Sequence, residues 1–162
     1  MKFLWSIFFL FPIVATAQDC KLLRETDPFT KETKISTGFI FVQGGSFTID
    51  ADKSQVTVLF TIDGNGKCFD NYSLAKVKFE NIKTPASQKN GGTMNCEGLF
   101  QFVFKNRAYT TTMLRRLMTQ KIESIIFIGN NKKETTLTVK PETGVLIMKL
   151  ATCLVDESKK LL

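Results

Sequence analysis

Between Gln55 and Ile62 the chain alternates with a period of two: Val56, Val58, Phe60 and Ile62 face one way while Thr57, Leu59 and Thr61 face the other. Successive side chains of an extended strand point to opposite faces, so the pattern dictates a strand with one dry and one wet side. The same period returns within Cys96 to Phe104, where Phe100, Phe102 and Phe104 oppose Leu99, Gln101 and Val103. It returns again within Asn71 to Asn81, where Ala75, Val77 and Phe79 oppose Lys76, Lys78 and Glu80. One-sided strands must be covered by another layer, and phenylalanine is among the residues most often buried, so the Phe row belongs to the core.

Around these strands the sequence supplies turns and further elements. Asp27-Pro28-Phe29-Thr30-Lys31 separates Lys21 to Thr26 from Glu32 to Ser36, with Pro presetting a turn and Asp able to accept from the following amides. Gly44-Gly45 breaks the apolar run Thr37 to Gln43 from Ser46 to Ile49, and Asp63-Gly64-Asn65-Gly66-Lys67 turns the chain after Ile62. Thr84 to Thr93 has the composition of an exposed loop. In Thr110 to Gln120 the period changes: threonines offer N-caps, and Met113, Leu114, Leu117 and Met118 recur three and four apart, which predicts a short helix.

Ile122 to Ile128 is apolar on both faces, as an interior strand is, and Gly129-Asn130-Asn131-Lys132 turns it into Glu134 to Lys140. Pro141 opens a terminal helix with Leu146, Leu150, Cys153 and Leu154 along one side, although Gly144 to Met148 also fits a strand. The class is α+β: a mainly antiparallel β-sheet of about eight strands, a short helix near 110–120 and a C-terminal helix near 141–157.

The N-terminus reads Met1-Lys2, an apolar run from Phe3 to Val14, then Ala15-Thr16-Ala17, the order of an export signal with cleavage after Ala17. The run is shorter than the roughly 20 residues a membrane span needs. Asp19 before Cys20 argues against a lipid anchor there. Taking 17 residues from 162 leaves 145 in one globular domain, 18–162, and losing Lys2 takes the formal charge from +7 to +6. A chain of that length buries about 68% of its unfolded surface, enough for one core. The expectation is an exported protein, periplasmic or extracellular, with no stable membrane insertion after leader cleavage.

Cys20, Cys68, Cys96 and Cys153 all follow the leader, and an even count in an exported chain indicates disulfides. Four cysteines allow three connectivities. The pairing we expect is Cys20 with Cys153, tying the ends, and Cys68 with Cys96, joining neighbouring strands; a Cys20–Cys68 link would contradict it. In the chain-entropy picture each bond adds roughly 3 to 5 kcal/mol.

The sequence is poor in catalytic equipment. It has no histidine, which removes the commonest general base and metal ligand, and it carries no nucleophile elbow, phosphate loop or dinucleotide fingerprint. Catalytic residues, cofactor sites and metal sites are therefore not assigned. Asp63 to Asp70 places oxygens at alternate positions as a calcium loop does, yet Lys67 interrupts the set and Leu74 stands where a bidentate Glu belongs, so a turn is the better reading. Asp50 and Asp52 share a face if extended, in a turn where solvated carboxylates are common. Glu97, ahead of the Phe row, is a candidate lone acid in an apolar pocket.

The basic clusters Arg115-Arg116, Lys132-Lys133 and Lys159-Lys160 are scattered and lack interleaved aromatics, which argues against a nucleic acid and leaves a protein or an anionic glycan as partner classes. Asn71-Tyr72-Ser73 matches a glycosylation acceptor. The leading expectation is a non-enzymatic binding or structural module. Its rivals are a small hydrolase-like enzyme using Glu97, Asp70 and Asp63, and a weak binder of anionic surface glycans.

Taken together, the leader, the early Cys20 followed by Asp27 to Thr30, the phrase Thr119 to Ile125 after a short helix, and Cys153-Leu154 near the end resemble a diffuse set of small exported proteins of Bacteroidota bacteria. The resemblance implies compartment and architecture, and it carries over no functional residue. Against that set Cys68 and Cys96 look like an added pair, which implies that they bond to each other.

Overall fold

The computed structural model describes residues 20–162. The leader 1–17 and its cleavage point lie outside the described residues. Ten strands and two helices follow in the order β1 (Leu23–Thr26), β2 (Thr33–Ser36), β3 (Ile40–Val42), β4 (Gly45–Ala51), β5 (Gln55–Ile62), β6 (Leu74–Phe79), β7 (Ala86–Lys89), β8 (Leu99–Lys105), α1 (Thr112–Thr119), β9 (Ile122–Ile128), β10 (Glu134–Thr138) and α2 (Pro141–Lys159). The α+β class holds, and every strand pairing between named strands is antiparallel.

The strands form two sheets where the sequence suggested one. The first has the order β1-β2-β4-β5-β8, with β3 following β2 along the same edge of β4. The second has the order β10-β9-β6-β7. Strand β7 lies inside the stretch expected to be a loop. Its residues alternate half-buried and exposed and pair with β6, so ladder hydrogen bonds override a polar, turn-like composition. Ile122 to Ile128 is interior in pairing, held between β10 and β6, yet only Ile122, Ile125 and Phe127 are fully buried.

Aromatic rings join the sheets. Phe127 of β9 meets Phe60 of β5 at 5.2 Å and Phe100 of β8 at 5.0 Å between centroids, both edge-on, the arrangement that ring quadrupoles favour. Helix α2 packs on β4 and β9 at one end of this interface, and α1 packs on α2. The buried face of α2 runs through Gly144, Ile147, Ala151, Cys153, Leu154, Val155 and Ser158. Of the stripe expected through Leu146, Leu150, Cys153 and Leu154, Cys153 and Leu154 are buried, whereas Leu146 is exposed and Leu150 is only partly buried, and at Gly144 the helix comes close to the Ile122 carbonyl.

The cap expected for α1 also differs. Thr111 stands at the N-cap, but its hydroxyl makes no capping bond and is buried without a partner among the described residues. In the β1–β2 corner, by contrast, Asp27 accepts from the amides of Phe29 and Thr30 at 2.7 and 2.8 Å and closes a hairpin. Cys20 is bonded to Cys153 and Cys68 to Cys96, which ties the start of the described chain to α2 and fastens the loop after β5 to the approach to β8. Two disulfides fit an oxidising location. Among the described residues no helix is long and apolar enough to cross a membrane.

Candidate functional site

The core side of the first sheet carries Phe47, Ile49, Val56, Val58, Phe60, Phe100 and Phe102. Parity then sends the intervening residues of the same strands to the opposite face. Cross-strand pairing arranges these into rows. One row runs Leu23, Ser36, Asp50, Thr57, Val103; the next runs Thr48, Leu59, Gln101; a third runs Phe41, Ser46, Thr61, Leu99. Over the first two rows lies an open trough of about 560 Å³. Its lining includes Leu23, Glu25, Lys34, Ser36, Asp50, Asp52, Gln55, Thr57, Leu59 and Gln101. The volume falls in the range of small-ligand sites.

The floor is stiff for local reasons. It is built on ladders of long, paired strands, and beside β8 the Asn90 side-chain oxygen accepts from the Gln101 and Gly92 amides at 2.9 and 3.2 Å. The Asn90 amide group donates to the Asp70 carbonyl at 3.0 Å. Entry into β8 needs Gly98: its φ is +76° and a Cβ there would sit 2.5 Å from the Ile62 carbonyl oxygen.

The charged groups of the trough are not equivalent. Arg24, also among the lining residues, is ion-paired with Glu157 of α2 at 3.2 Å. Asp52 closes the β4–β5 turn by accepting from the Ser54 amide and hydroxyl and the Gln55 amide. Partial burial pulls its pKa up, but these hydrogen bonds, Ser54 foremost, outweigh burial and hold it below the ordinary value. Asp50 receives one hydrogen bond from Thr48 at 2.8 Å. No salt bridge engages Glu25, Lys34 or Asp50 among the described residues. These three are the groups free to meet a ligand.

The carboxylates named for a hydrolytic site are placed elsewhere. Asp63 and Glu97 are exposed, and none of Asp63, Asp70 and Glu97 lines the trough. The apolar pocket expected around Glu97 is absent, because the turn through Gly98 faces Glu97 outward while Phe100 turns inward. Asp70 caps its own turn, accepting from the Ser73 hydroxyl and the amides of Tyr72 and Ser73 at 2.8 to 2.9 Å, and Ser73 first among these donors lowers its pKa. In the loop read as a turn, Phe69 is buried and Lys67 donates to Thr135 at 2.9 Å.

Sequence reasoning marked Thr57, Leu59, Gln101 and Val103 as the second faces of their strands without recognising that they share a concave surface. The missing information was pairing order, since β5 meets β8 across 36 intervening residues. The fold and trough define a class: a small, disulfide-stapled α+β domain with an open polar sheet face. Comparison of this chain with protein-family models, with curated proteins and with solved structures finds no match.

Proposed function

We propose that this chain is an exported, non-enzymatic binding module, acting in the periplasm or outside the cell, with the trough on the first sheet as its binding face. The observation that carries the reading is that concave floor of strand-borne polar side chains, with Glu25, Lys34 and Asp50 in its lining and outside any salt bridge among the described residues. Sites on strands are held more rigidly than sites on loops, and a preordered surface loses less entropy on binding. Two disulfides support the compartment.

Titrating the isotope-labelled, oxidised protein with a library of small polar fragments (sugars, amino acids, nucleosides) tests the reading by amide shift mapping. Perturbations should gather at Ser36, Thr57 and Gln101. Shifts confined to other surfaces, or none, would remove the trough as binding face. Turnover of any fragment would overturn the non-enzymatic part.

A further inference from the structure

Phe39 and Phe41 are 68% and 76% exposed, with stacked rings 6.3 Å apart. Exposed phenylalanine pairs are unusual on a folded domain, and these two lie at and just before β3, on the edge of β4 that β2 also occupies. Phe41 stands directly across from Ser46, whose partner on β5 is Thr61, one row beyond Leu59 at the trough end. Register therefore puts Phe41 on the same face of the sheet as the trough, one row beyond its end, although neither ring is part of the trough lining.

The charges of that surface restrict what fits. The lining sets Glu25, Asp50 and Asp52 against Lys34 and Arg24, so no single sign of charge dominates and neither a polyanion nor a polycation is favoured. A floor of mixed sign suits a ligand without net charge, and its hydrogen-bonding groups suit one rich in hydroxyls. Carboxylates, the amides of Gln55 and Gln101, and the hydroxyls of Ser36 and Thr57 can each give or take hydrogen bonds with vicinal hydroxyl pairs. The Phe faces suit the C–H faces of pyranose rings, whose weakly positive hydrogens meet the negative ring face. From Gln55 to Leu59 the floor runs about 14 Å, and the step to Thr61 extends it to about 20 Å at roughly 3.4 Å per residue, the shape for an extended chain of sugars.

We infer that the trough with Phe39 and Phe41 binds a neutral polysaccharide segment. This rests on the binding-module reading above and names its ligand class. The test is native affinity electrophoresis of the oxidised protein in gels containing starch, a β-1,3-glucan, a β-1,4-glucan, xylan or mannan, with heparin and polygalacturonate as anionic arms.

At least one neutral polymer should retard the protein, with little effect of added salt. Asp50→Ala and the double variant Phe39→Ala/Phe41→Ala should each weaken that retardation at least tenfold, whereas Tyr72→Ala, an exposed aromatic on the turn before β6, should leave it unchanged. Circular dichroism of each variant separates lost binding from lost folding, and Gln101→Ala serves as a second floor variant. Retardation by none of the neutral polymers, by the anionic ones alone, or equally in all variants overturns the inference. If fragments other than sugars still map to the trough, the binding module stands without the sugar; if nothing maps there, both fall.

Discussion

Phe127 occupies the point where the two sheets touch, fully buried and edge-on to Phe60, Phe69 and Phe100. Its truncation removes ring contacts to β5, to β8 and to the loop residue Phe69 at once, so Phe127→Ala should cost about 3–5 kcal/mol in urea unfolding of the oxidised protein. Phe41→Ala, on the open side, should move the midpoint by no more than about 0.5 kcal/mol equivalent. Asn90 is the polar counterpart. Its side chain satisfies the Gln101 and Gly92 amides and the Asp70 carbonyl from a buried position, so Asn90→Ala should cost roughly 1–3 kcal/mol and speed hydrogen exchange at the Gln101 amide. An unchanged exchange rate would show that water replaces the lost partner.

Among elements, the strands with strict alternation were legible because their buried and open sides follow from one rule. Val56, Val58, Phe60 and Ile62 are all buried, as are Phe100, Phe102 and Phe104. What escaped was set by distant partners: β7 exists because β6 offers it an edge, and α2 turns its Ile147 side inward because β9 passes beneath Gly144. The site was legible only as a set of second faces, since a concave surface is a property of strand order. The two disulfides span 133 and 28 residues. If unfolded-chain entropy governs their effect, replacing Cys20 and Cys153 by Ser should cost about 1.4 kcal/mol more than replacing Cys68 and Cys96. Chemical denaturation of the two double variants reads the difference directly, and equal losses would point to strain or residual structure.

For the whole molecule, pH response follows from which carboxyls are held ionised. The amides of Thr30 and Phe29 lower Asp27 and the Ser73 hydroxyl lowers Asp70; at Asp52 the turn donors outweigh burial, and Lys160 with Arg24 lowers Glu157. Ordinary values are 3.8 for Asp and 4.5 for Glu. A folded-state pKa below the unfolded one gives stability that is complete above the unfolded value and is lost as pH falls through the folded one. Thermal midpoints should therefore be flat from about pH 8 to 5, with no histidine to titrate there, and should fall below about pH 4. A decline beginning near pH 6 would contradict this.

Strand β1 pairs with β2 alone, all four of its residues are exposed, and Cys20 just before it is bonded to α2. That bond works as a rivet at the free end of a lath. Cutting it with a mild reductant should let β1 peel outward, baring Leu23 to Thr26 to proteases and taking away the rim that carries Glu25, while the aromatic interior keeps its near-ultraviolet signal. A change of redox poise would then act on this protein first as a loss of grip, and only later as a loss of shape.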